Sequence, residues 1–231
     1  NGMRYRRVVF SLIFTLIILG VSAAVAPEII EEQATKPTSY QTISDTPLPA
    51  DATAALKTLE GLPIKGRAPK TGYSRAQFGD GWASVNGCTT RQIILHRDLT
   101  DITMANECTI ASGILQDPYT GETIHFSSAD SSAVQIDHIV ALSDAWQKGA
   151  QQLTKEQRQQ LANDPLELLA VDGPANQQKG DGDAATWLPK NKAFRCSYIE
   201  RQVIVKQKYS LWVTDAEKTA MIDVLKSCTN S

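Results

Sequence analysis

Apolar positions along this chain fall into runs of three different kinds. The first is continuous: Val8 to about Ala26 is apolar, follows Arg4, Arg6 and Arg7, and ends in the small residues Val21-Ser22-Ala23-Ala24. That layout predicts a secretory signal over residues 1–26, cleaved after Ala23 or Ala24 because Pro27 blocks cleavage after Ala26. An uncleaved anchor is the alternative, since ~20 apolar residues span a bilayer. Either way the remainder leaves the cytoplasm, as a secreted or membrane-anchored protein. Residues 27–52, rich in Pro, Thr, Ser and Glu, carry no sustained period and predict a flexible linker ahead of a folded domain over 53–231.

The second kind is short and strand-like. CTIASGIL, QDPYTGE and TIHF predict a hairpin with Pro and Gly in its turn. VQIDHIV, from Val134, predicts a further strand, followed by a polar helical stretch, and PLELLAV (165–171) is another apolar run, stopped by Asp172-Gly173. The third kind is helical. A short helix is expected over Ala52 to Leu59, and Thr154-Lys155-Glu156-Gln157 fits a capping box opening a helix to about Ala162. Pro174 sits where a helix carrying Ala175, Asn176 and Lys179 can start. Phe194, Tyr198, Ile199 and Val203 lie near helical spacing, and Thr214-Asp215-Ala216-Glu217 opens a last helix to about Ser227. Strands first and helices later predict an α+β fold.

Composition narrows this picture. With 231 residues, 42% hydrophobic and 21% charged, the chain suits one main core, and no fixed-period repeat suggests a solenoid. Removing the three arginines of residues 1–26 from the 23 basic residues leaves 20 against 25 acidic, a net charge of −5. Any polyanion must therefore be met by a local basic patch. Residues 186–212 supply a candidate: Lys190, Lys192, Arg195, Arg201, Lys206 and Lys208 stand against Glu200 alone, although a solvated helix face is the plain reading. All four cysteines lie in the exported part, and an even count outside the cytoplasm predicts disulfides. Neighbour pairing gives Cys88 with Cys108 and Cys196 with Cys228; zinc ranks below this because no CxxC spacing occurs.

Chemistry concentrates at IDHI. An Asp next to a His in an apolar strand is costly without partners, and the two side chains share a face only at a strand end or distortion. Asp137 and Asn176 offer hard oxygen ligands suited to a partly hydrated, magnesium-like cation, which leaves His138 free as a base. That combination suits metal-assisted phosphodiester cleavage. For a lone His, a satisfied core residue is the commoner case; His96 is read as a structural or surface residue, and His125 falls in a hairpin strand. Lys179 is read as a phosphate ligand or a solvated charge. Arg91 either binds phosphate or pairs with Asp98 or Asp101. Trp146, Trp187 and Trp212 are read as core.

The ordered set DHI-V, PLELL and N-x-x-K-G-D resembles the HNH nucleases of the ββα-metal superfamily, in the branch similar to the C-terminal domain of GmrSD restriction enzymes. CTTRQIILHRDL, SGILQDPYTGETIHF and NDPLELLAVDGPANQQKGDGDAATWLPKNKAFRC look like the exported HNH-family endonucleases of actinobacteria, so the likeness covers roughly residues 70–228. It implies a ββα-metal core within a small mixed domain with C-terminal helices. It also implies that Asp137 and Asn176 ligate Mg²⁺ (or Mn²⁺ or another divalent cation), with His138 as general base. Lys179, Arg91, Lys192 and Arg195 would contact substrate. Glu167 departs from the pattern: nine residues before Asn176, where the family carries an Asn that orients the loop of the base, it adds a charge at a catalytic position. The implied function is a monomeric endonuclease cutting DNA, or RNA too, with little sequence specificity and leaving 5′ phosphates. No protein partner is evident. A metal-dependent cell-wall hydrolase and a non-catalytic surface binding module are the rival classes; the first needs a zinc motif such as HExxH, which is missing.

Overall fold

The computed structural model describes residues 51–229. The signal or anchor over 1–26, and the linker up to residue 50, lie outside the described residues. Among the described residues no helix is long and apolar enough to cross a membrane.

Elements follow in chain order. Asp51, accepting from the Ala54 N–H, caps α1 (Ala52–Glu60). A long loop with one 3₁₀ turn (Arg75–Phe78) leads to the two-residue strands β1 (Ser84–Val85) and β2 (Cys88–Thr89) and to α2 (Thr90–Asp98). Then β3 (Thr100–Met104), β4 (Ile110–Gln116) and β5 (Thr123–Ser127) form an antiparallel sheet in the order 3-4-5. β6 (Val134–His138) pairs antiparallel with β7 (Leu168–Asp172), from Val134 opposite Asp172 to His138 opposite Leu168. Between them come α3 (Leu142–Gln147) and α4 (Lys155–Ala162), and after β7 come α5 (Gly173–Lys179), α6 (Arg195–Lys208) and α7 (Asp215–Cys228). The α+β class holds, and β6, β7 and α5 form a strand, strand, helix unit around the IDHI segment.

The β6–β7 ribbon is buried on both faces, which is why its two sequences read as near-continuous apolar runs. Val134, Ile136, Leu168 and Ala170 pack with α2 and the three-stranded sheet; Leu169, Val171 and Ile139 pack with α1, α6 and α7. At the turn from β7 into α5, a Cβ on Gly173 would meet the Ser132 carbonyl at 2.1 Å, so the ribbon can pass this close only with glycine there.

Two elements of the structure leave no mark in the sequence pattern, each for a physical reason. The stretch after Arg91 is a helix, α2, capped by the Thr89 hydroxyl on the Gln92 N–H; its Ile93-Ile94-Leu95 run is too short for periodicity to separate helix from strand. β3 escapes the pattern because it is a mostly exposed edge strand with no apolar alternation. The predicted hairpin, both capping boxes and the start of α5 with its proline are all present. Cys88 pairs with Cys108 and Cys196 with Cys228. With all four thiols in disulfides, none is left as a metal ligand.

A buried ionic cluster locks α3, the segment after α5, α6 and α7 together. Lys148 Nζ lies 2.8 Å from Asp144, 2.8 Å from Asp183 and 2.6 Å from Glu217, and Lys206 lies 2.9 Å from Glu217. Arg67 reaches in from the loop before the 3₁₀ turn, 2.8 Å from Asp144 and 2.7 Å from Asp183. Three cations against three carboxylates leave no net buried charge, the condition under which such a cluster is tolerated.

Candidate active site

β6 ends at His138, and there the chain stops alternating: Asp137 and His138 both line one cleft of about 260 Å³, with Gln135 and Asn176. The turn that follows is tied at every backbone group from His138 O to Val140 N. Lys179 Nζ donates to the His138 carbonyl (2.7 Å), Gln202 Nε2 to the Ile139 carbonyl (2.8 Å), and the Ile139 N–H to the Glu167 carbonyl (2.8 Å). The Val140 N–H donates to Glu167 Oε2 at 3.1 Å. Four hydrogen bonds from Lys179, Gln202 and Glu167 therefore set the backbone that follows His138.

Asp137 is buried, with a partner on each carboxylate oxygen. Lys179 Nζ lies 3.0 Å from Oδ1 and 2.9 Å from Oδ2, and the Tyr119 hydroxyl, from the turn between β4 and β5, donates to Oδ2. Burial and the neighbouring Asp137 charge hold the Tyr119 phenol well above its ordinary pKa, so it stays a donor. The carboxylate is thus pre-oriented by one ammonium and one hydroxyl before any other ligand meets it.

His138 shows how a neutral imidazole is prepared. Its Nε2 lies 3.0 Å from the Ala162 carbonyl, which only accepts, so that nitrogen carries the hydrogen and Nδ1 keeps its lone pair. Trp82 stacks on the ring, with centroids 5.6 Å apart and planes 4° from parallel. Burial, then the positive field of Arg75, push the imidazole pKa down to about 3 against the raising bond to Ala162; Lys179 adds to the lowering.

Asn176, on α5, donates from Nδ2 to Gln135 Oε1 at 2.9 Å, which fixes the amide with its Oδ1 unspent by that bond. Asp137 Oδ1 takes only the Lys179 contact and keeps a lone pair. Two hard oxygens at one cleft fit a magnesium-like cation that retains several waters. Among the described residues no three His, Cys, Asp or Glu side chains gather as a metal cage, so the donor set suits a hydrated ion rather than zinc.

Other expected site residues are placed differently. Lys179, read as a phosphate ligand, has a fully buried side chain turned onto Asp137, because an ammonium without that partner could not be buried there. Arg91 pairs with neither Asp98 nor Asp101; it reaches the Val134 carbonyl at 3.4 Å, and burial lowers its pKa. Asp98 is taken by Arg97 at 2.6 Å. Lys192 and Arg195 line a separate depression beside Asp223 and Cys196, outside the Asp137 cleft. The basic excess over 186–212 forms no single exposed stripe, since Lys206 is buried in the ionic cluster and Lys208 binds Asp164 at 2.6 Å. Glu167 sits behind the cleft, fully buried, and burial raises its pKa well above the carboxylate range despite the Val140 bond.

Four neighbours of the site carry no motif in the sequence. Tyr119 is wholly buried although it stands in a polar hairpin turn, and an aromatic in such a turn is the only signal it gives. Gln202 hides in α6. Trp82 and Arg75 come from the loop before α2, and Arg75 lines the Asp137 cleft with no hydrogen bond or ion pair to its guanidinium among the described residues.

Comparison with known proteins adds the following. The family model for the C-terminal domain of GmrSD restriction endonucleases matches residues 91–224. An uncharacterized secreted protein of Arthroderma benhamiae is 38% identical over 200 residues, covering 82% of this chain and 96% of its own length. No solved structure matches.

Proposed function

Since this chain belongs to the family of GmrSD restriction endonuclease C-terminal domains, we propose that it is an exported, metal-dependent HNH-type endonuclease hydrolysing phosphodiester bonds of DNA. The observation that carries this reading is the convergence of Asp137, His138 and Asn176 on one cleft, with Nδ1 of His138 left as the free base. Export is supported by the two disulfides, which persist in oxidising compartments, and by the relative described as secreted.

In this reading His138 Nδ1 takes a proton from a water molecule, whose oxygen bonds to phosphorus as the bond from phosphorus to the 3′ oxygen breaks. The leaving oxygen takes its proton from solvent, and the new 5′ end keeps the phosphate. The Ala162 carbonyl holds the ring in the tautomer this needs, and the tied backbone from 138 to 140 holds its position. Lys179 and Tyr119 orient the Asp137 carboxylate, and Arg75, exposed at the cleft and without an ion pair among the described residues, suits a non-bridging phosphate oxygen. Asp137 and Asn176 would hold the divalent cation, which stabilises charge on the phosphate and the leaving oxygen when bound. Glu167 acts through Val140 as a positioning residue: its carboxyl accepts the backbone bond that the family's Asn would take.

The test is digestion of supercoiled plasmid by the purified protein with Mg²⁺, with Mn²⁺ and with EDTA. Nicking with a divalent cation and none in EDTA is expected. Full activity in EDTA would overturn the metal assignment, and no cleavage of any nucleic acid under any of the three conditions would overturn the reading.

A further inference from the structure

A second cleft, about 300 Å³, adjoins the first and shares Arg75, His138 and Leu142 with it. Its character differs: Phe78 and Trp82 supply aromatic wall, Ala76 and Ala162 small apolar wall, and Gly79 and Gly81 also line it. Nothing in the hydrolytic step described above needs this space. The core does not need it either, since Trp82 stays partly exposed on the wall instead of closing over Phe78.

We propose that this cleft is a nucleobase subsite, taking one unstacked base of the nucleotide next to the scissile phosphate. The inference rests on the endonuclease reading of the adjoining cleft. Charge complementarity sets the direction. Arg75 stands where the two clefts meet and suits the phosphate, whereas Asp80 lines only the apolar cleft. A carboxylate there repels a phosphate but accepts from a base amine or imino N–H. A flat, apolar, aromatic-walled space with one acceptor, joined to a phosphate site, has the chemistry of a nucleotide's base end. A base inside a duplex cannot enter it without leaving its stack, so single-stranded or distorted nucleic acid is the favoured substrate.

The experiment uses short single strands in which one linkage is a native phosphodiester and the others are methylphosphonates, with the nucleotide on either side of that linkage intact or abasic. Wild type, Trp82→Ala and Trp82→Phe are compared by kcat/KM. An abasic residue on one side should slow wild type roughly tenfold, in line with the worth of one stacked base. Trp82→Ala should cut intact and abasic strands at one lowered rate, and Trp82→Phe should restore the difference. Because Trp82 also stacks on His138, the intact-to-abasic ratio is the readout, not the rate itself. Should Trp82→Ala not fold, quenching of 2-aminopurine placed beside the native linkage, on binding to His138→Ala, gives the same answer. Equal rates on intact and abasic strands, or no quenching, would overturn the subsite while leaving plasmid cleavage intact. Loss of both plasmid and oligonucleotide cleavage would mark failure of the endonuclease reading, and the subsite with it.

Discussion

At the scale of single residues, the site is an arrangement of partners for groups that could not otherwise be buried. Lys179 and Asp137 stabilise each other, so removing one leaves the other uncompensated. Lys179→Met should lower stability by about 3–5 kcal/mol, read as a reduced midpoint in urea. His138 has a proton linkage of the opposite kind. Its folded pKa of about 3 lies below its unfolded 6.5, so unfolding takes up a proton anywhere between these values. Stability should therefore rise with pH from about 3 to 6.5 and fall on acidification through the same window. His138→Gln should flatten that limb of the profile measured by thermal denaturation.

At the scale of elements, the turn after β6 does the positioning, and Glu167 is its clearest test. Burial raises the Glu167 pKa well above its ordinary value, and its carboxyl accepts from the Val140 N–H. Glu167→Gln keeps that acceptor and should retain near wild-type nicking. Glu167→Ala leaves the buried N–H unpaired, at about 1–3 kcal/mol of stability, and should lower kcat. A collapse of activity in the Gln variant with the fold intact would mean the carboxyl takes part in the chemistry itself. This scale also shows where the sequence was legible. The strands through IDHI and PLELLAV, the capping boxes at Thr154 and Thr214 and the proline at the start of α5 each leave a local mark, and all are found. Asp137, His138 and Asn176 were visible by their order, and the structure gathers them. Lys179's true partner was not visible, because a lysine bound for burial looks like any surface lysine until the fold supplies its carboxylate. Arg75, Trp82 and Tyr119 reach the site from loops and turns whose placement is decided by tertiary packing, so no spacing announces them.

At the scale of the molecule, two disulfides and one ionic cluster hold the helices that back the cleft. Cys196–Cys228 joins the first turn of α6 to the last of α7 across 32 residues. On a chain-entropy account a loop of this length contributes roughly 3–4 kcal/mol. Replacing Cys196 and Cys228 by Ala should lower the melting temperature, and reduction of wild type, which also opens Cys88–Cys108, should lower it at least as far. An unchanged melting temperature would mean that the helical packing and the Lys148 cluster suffice alone. In the exported reading proposed above, such staples help keep the tied turn at His138 in place. The central claim is that this turn presents a catalytic base. It is tested most directly by plasmid nicking with His138→Ala beside wild type in Mg²⁺, with circular dichroism confirming equal folding. A fall in rate of roughly 10² to 10⁴ is predicted, and undiminished nicking by the folded variant would contradict it.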